Sequence, residues 1–194
     1  MNRILEFILL VVTVILYGCN VQKRSIATET PNAGEKLVIE EADASLQWKA
    51  NECYHKITQV IGKKVGKDPD AIECPDFFGG GYTDERGKLI LLIKGNRQEG
   101  ERIVKNILGG DDSVVEYHSC RYSLQELTNI AKTISDNFSK APQNVRSILS
   151  EYYLDEKNNK VVVGLNELNS ENMELFKKYI VNHDAVEFKS APVD

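Results

Sequence analysis

The sequence predicts an α+β protein: two tandem ββαβ units, a connecting helix between them and a further helix in front. Three observations predict it. The first is a self-match at an offset of about 71 residues. Gly81-Tyr82-Thr83-Asp84-Glu85 sits over Tyr152-Tyr153-Leu154-Asp155-Glu156, and Lys88–Ile93 sits over Lys160–Leu165, one residue further on. The second is that both copies change hydrophobic period in the same order, from strand to helix to strand. Ile103, Val104, Ile107 and Leu108 match Leu175, Phe176, Tyr179 and Ile180, and Val115-Glu116-Tyr117 matches Val186-Glu187-Phe188. The third is an amphipathic stretch between the copies that opens with its own capping signal.

Composition sets the frame. With 194 residues, 42% of them apolar and 27% charged, the chain suffices for one ordinary domain or two very small ones. Lys plus Arg number 24 and Asp plus Glu 29, a net charge of −5 with no basic run, which argues against a nucleic-acid partner. His55, His118 and His183 are scattered, so no His-rich metal site is expected, and no cofactor is implied.

Residues 1–18 read as a lipoprotein signal peptide. Arg3 supplies the positive start, and Phe7–Tyr17 is an apolar run of about 11 residues, short of the roughly 20 that span a bilayer. Leu16-Tyr17-Gly18-Cys19 resembles the bacterial lipobox, which makes Cys19 the expected lipidation site. An acylated Cys19 places the mature protein on a membrane face of the cell envelope, outside the cytoplasm, with the lipid bilayer as its first partner. Residues 19–41 are polar and without period and read as a flexible tether. From Asp43 the helical pattern begins. Leu46, Ala50, Cys53, Ile57 and Val60/Ile61 recur at helical spacing, and Asp43 or Ser45 can cap the start. Trp48 at its start reads as a core residue.

The first unit, with this helix, takes residues 42–122 and the second, with the connecting helix, residues 123–194. In each copy a short strand ends at Asp84-Glu85 or Asp155-Glu156, and Arg86-Gly87 or Lys157-Asn158-Asn159 turns the hairpin. A long apolar strand, a polar loop, a helix of about three turns and a final strand follow. The expected sheet order is second, first, third. Ser123 and Glu126 form a capping box, and Leu124, Leu127, Ile130, Ala131, Ile134 and Phe138 make the stripe of a helix able to serve both cores.

Setting Cys19 aside, three cysteines remain. The strand order brings Cys120 toward Cys74 and makes Cys74–Cys120 the leading disulfide; Cys53–Cys74 and three free thiols are the alternatives. Gly79-Gly80-Gly81 precedes a strand, not the helix a phosphate loop needs, so these glycines read as a bulge or close backbone approach. The paired acids at the turns read as solvated turn formers. No hydrolase motif appears, so no catalytic residues are expected.

Phe78-Gly79-Gly80-Gly81-Tyr82-Thr83-Asp84 with Gly87–Ile93 resembles the first hairpin of the pro-domains of alpha-lytic protease and the streptogrisins. Tyr122–Leu127 is similar to their connecting-helix opening, and Tyr153-Leu154-Asp155 with Asn159–Val163 to their second hairpin. The resemblance covers about Phe77 to Lys189. It implies a non-enzymatic folding catalyst and inhibitor of a secreted serine protease, whose second sheet takes up a protease hairpin by β-augmentation. It also implies that Val186, Glu187, Phe188, Lys189, Ser190 and Ala191 meet the partner, with Ser190–Asp194 the only tail. No protease sequence follows Asp194, so the partner is expected on a separate chain. The alternative is a structural or surface-interaction lipoprotein without a protease partner. Cys19→Ala is expected to abolish acylation and release the protein from membranes; palmitate labelling and fractionation of expressing cells test this, and retained label would refute it.

Overall fold

The computed structural model describes residues 33–64 and 72–191. The expected signal peptide, Cys19, the tether up to residue 32 and the last three residues lie outside the described residues. Helix α1 spans Ala33–Ile61 and is followed by a two-stranded clasp, β1 (Lys63–Lys64) with β2 (Ile72–Glu73). The first sheet comprises β3 (Phe78–Thr83), β4 (Leu89–Lys94) and β5 (Val115–Cys120), with helix α2 (Arg97–Leu108) between β4 and β5. The connecting helix α3 (Leu124–Phe138) and the short α4 (Gln143–Arg146) lead into the second unit. That unit comprises β6 (Leu149–Asp155), β7 (Lys160–Leu165), α5 (Ser170–Tyr179) and β8 (Val186–Ser190). The duplicated ββαβ architecture is therefore observed. Each copy also carries a helix in front, α1 or α3, so the repeated unit is αββαβ.

Both sheets run first, second, third, with the first pair antiparallel and the second pair parallel. This corrects the expected order, which put the first strand in the middle. The reason lies in β4 and β7. Leu89, Leu91 and Ile93 enter the first core, yet Ile90 and Leu92 on the other face are buried as well. Val161 to Leu165 are likewise buried throughout. A strand apolar on both faces is best covered in the centre of a sheet.

Two separate cores result. Ala50, Cys53, Ile57 and Ile61 of α1 and Val104 and Leu108 of α2 pack on the first sheet. Leu127, Ile130 and Ile134 of α3 and Phe176 of α5 pack on the second. Each buried Val, Ile, Leu or Phe among them contributes roughly 1.5–3 kcal/mol. Leu124, at the head of α3, turns to the first core instead. The predicted capping box is present: the Glu126 amide donates to Ser123 Oγ (3.2 Å) and the Ser123 amide to Glu126 Oε2 (2.7 Å).

Two further expectations change. Helix α1 begins at Ala33, well before Asp43, so residues 33–41 are helical rather than tether. Trp48 is 73% exposed, not core, because a residue two places from the inward Ala50 points away from that face. Among the described residues no helix is long and apolar enough to cross a membrane.

The turn between β6 and β7 fastens the units together. Glu156 Oε2 accepts hydrogen bonds from the Gly81 amide (2.7 Å) and the Tyr54 hydroxyl (3.1 Å) of the first unit. β3 is bulged between Phe78 and Gly81, and Gly80 has φ +93°. A Cβ at Gly80 would collide with the Glu156 carboxylate, which is the close approach the triple glycine foretold. Asn159, itself left-handed at φ 53°, then closes the seam. Its Oδ1 accepts from the Arg121 (3.2 Å) and Tyr122 (2.8 Å) amides, and its Nδ2 donates to the Tyr122 carbonyl (2.8 Å). The acids at the two turns thus differ: Asp84 and Asp155 bond their own turn amides, whereas Glu156 leaves the turn and enters the other unit.

No cation pairs with Glu156 among the described residues. Burial raises its pKa, and the Gly81 and Tyr54 hydrogen bonds only partly oppose that. The native state therefore holds this proton more tightly than the unfolded chain. That contribution is complete below the ordinary carboxyl pKa and is lost as pH rises through the raised native value. Glu156→Gln should accordingly match wild type in acid and exceed it in stability near neutrality, measured by urea unfolding across pH; a less stable Gln variant at neutral pH would refute the account. Glu156→Ala leaves the Gly81 amide unpaired and should cost about 1–3 kcal/mol.

Candidate partner-binding edge

Val186-Glu187-Phe188-Lys189-Ser190 alternates apolar and polar, and the strand follows that period. Val186 and Phe188 pack against the second core, Phe188 edge-to-face on Phe176 with centroids 5.3 Å apart. Glu187 and Lys189 are exposed on the opposite face and pair with each other at 3.4 Å. Two of the six expected partner-binding side chains are thereby structural. What remains for a partner on this strand is its backbone, the two charges, Ser190 and the half-buried Ala191.

The backbone has a definite orientation. The Ala185 carbonyl accepts from the Val161 amide and the Ala191 amide donates to the Leu165 carbonyl, so both residues face β7. Backbone groups alternate sides along a strand, so Phe188 and Ser190 present theirs to the other side. There β8 is the sheet edge, hydrogen-bonded to β7 alone among the described residues. The corresponding strand of the first unit, β5, is likewise hydrogen-bonded to its central neighbour alone among the described residues, while the junction contacts fall on Gly81 of β3 and on Tyr122, just past β5.

The outer face of the second sheet is shallow. Tyr153, Val162 and Glu187 form one cross-strand row and Glu151, Gly164 and Lys189 the next. The aliphatic stem of Glu151 lies over Gly164 and fills the space a side chain would take.

The cysteines do not form the expected Cys74–Cys120 bridge, nor Cys53–Cys74; all three are free thiols. The expected closeness rested on the third strand lying beside the first; β4 separates β3 from β5, and the two side chains also take opposite faces. Cys74 packs against the first core, whereas Cys120 lies on the outer face over Gly79 and donates to the Tyr122 carbonyl at 3.3 Å. Burial pushes Cys120 up to about 11 and raises Cys53 and Cys74 too, so none is a ready nucleophile. His118 is exposed beside Glu116, 3.9 Å away.

Residues 33–120 match the family of Pro-like N-terminal domains and residues 125–191 the family of Pro-like C-terminal domains. The chain carries a tandem pair of Pro-like domains. The break between the two matches falls at the head of α3, where the first unit ends and the second begins. The C-terminal Pro-like domain therefore owns the open β8 edge, and its β6–β7 turn closes onto the N-terminal Pro-like domain. No curated protein matches the sequence.

Sequence reasoning read Glu156 as a solvated turn former, which its bonds to Gly81 and Tyr54 correct; it read Asn159 only as a turn residue and gave Tyr54 no role. The only signal was the triple glycine, which announces a close approach without naming what approaches. Phe188→Ala should destabilise the protein by about 3 kcal/mol, since it removes a ring packed on Phe176, while Glu187→Ala should be nearly neutral. Urea unfolding tests the pair, and equal effects would contradict the assignment of inward and outward positions.

Proposed function

We propose that the protein is a non-enzymatic binding module that takes an extended strand of a separate secreted protease along β8, acting as its inhibitor or folding helper, while an acylated Cys19 holds it on the membrane. The open β8 edge carries this reading. It supplies outward backbone groups at Phe188 and Ser190 on a strand anchored by Phe176 and β7. Main-chain pairing gives such an edge affinity for a strand of suitable shape. A partner strand captured before the rest of its domain has formed lowers the folding barrier when the transition state is bound better than the unfolded chain. The Pro-like identity of both domains supports the same reading.

The experiment is hydrogen exchange with and without serine proteases encoded beside this gene in its host. Slowed exchange confined to 188–190 supports β-augmentation. Ser190→Pro removes an outward amide while leaving the β7 ladder in place, and should weaken protease inhibition at least about tenfold with little loss of stability. Unchanged exchange and no inhibition of any such protease would overturn the proposal and favour a surface-interaction lipoprotein.

A further inference from the structure

Where the β6–β7 turn meets the first unit it leaves a cleft of about 310 Å³. Leu92, His118 and Cys120 of the first sheet form one wall, and Lys157 and Lys160 of the turn form another. A second hollow of about 300 Å³ shares Tyr82 and Lys157 with the first, but Asp84 and Glu85 line it beside Arg86, which is itself paired with Asp84.

The charge of the first cleft is opposite to that of the chain. Arg121, Lys157 and Lys160 line it and no carboxylate does, in a protein of net charge −5. Lys157 and Lys160 have no carboxylate partner among the described residues. Lys157 Nζ stands 6.0 Å from the Tyr82 ring centre, and Lys160 Nζ stands 5.7 Å from that of Tyr122 while donating to the Asp184 carbonyl at 2.9 Å. Arg121 lies over the same Tyr122 ring at 5.1 Å and is tied to Asp184 at 2.9 Å. Asp184 offsets the Arg121 charge, whereas aromatic faces and a carbonyl hold Lys157 and Lys160 in place without a carboxylate.

The geometry points to a second binding site, the first cleft at the junction of the two Pro-like domains, for a short acidic segment of a partner polypeptide. The cations supply the attraction for carboxylates. Tyr82, Leu92 and Cys120 add apolar surface that a bare inorganic anion leaves unused, and Asp84 and Glu85 past Lys157 confine an acidic ligand to the first cleft.

Fluorescence anisotropy with a labelled Glu-Tyr-Glu-Glu-Tyr-Glu peptide at low salt tests the site. Wild type should bind saturably, and Lys157→Glu combined with Lys160→Glu should weaken binding at least about tenfold. Lys132→Glu combined with Lys140→Glu, away from the groove, should change it less than about twofold. Thermal unfolding checks both variants; if the groove variant does not fold, Lys157→Gln with Lys160→Gln removes the charges at similar shape and decides instead. Absence of saturable binding, an equal loss in the control variant, or displacement by inorganic phosphate at concentrations equal to the peptide's own would overturn the proposal. Ser190→Pro should leave this affinity unchanged, so a failure here is distinguishable from a failure at the β8 edge.

Discussion

A carboxylate from one unit seated in a glycine bulge of the other organises this molecule. Neither three-stranded sheet is large, and each unit has its own core, so the relative placement of the two is not set by one continuous apolar interior. Glu156 and Asn159 set much of it through directional contacts to Gly81, Tyr54 and the Tyr122 backbone. Such contacts add little net stability each, but they tolerate far less displacement than apolar packing does. Helix α3 completes the arrangement, since Leu124 touches the first core and the remainder of its stripe fills the second.

The duplicated units do not repeat the docking contact. Glu85 is the repeat equivalent of Glu156, yet it stays exposed at its own turn. In the second unit the bulge of β6 carries Ser150 and Glu151 where β3 has glycines. Glu151 lies over Gly164, so an incoming carboxylate would meet a like charge and an occupied space. The second unit thus keeps the architecture of a receiver without its cradle. Its free surfaces are instead a strand edge and a shallow sheet face. The first copy accepts the junction and the second supplies the carboxylate that enters it.

Burial raises the pKa of the Cys53, Cys74 and Cys120 thiols, and Glu156 is committed to the junction. Rigid support of β8 by Phe188 on Phe176 lowers the ordering cost of adding a strand. The junction groove offers a different chemistry, charge over aromatic rings, at a distance from that edge. A partner that used both would be recognised by shape at one end and by charge at the other.

Much of the architecture was legible in the sequence. Ser123 and Glu126 announced a helix start through local hydrogen bonds, and Leu127, Ile130 and Ile134 announced its buried face by spacing alone. The repeat at Asp84 and Asp155 located both hairpins. These features depend on neighbours within a few residues, where chain geometry leaves little choice. The sheet order, the lone thiols and the role of Glu156 depended on faces and distances that only folding creates. Val162 and Leu92 read as apolar from either position in a sheet, and only the packing of both faces put their strands in the centre. Glu156 and Gly81 lie 75 residues apart and are joined by a single hydrogen bond. A residue's chemistry is written in the chain, but which distant backbone it meets is decided when two independently packed units close on each other.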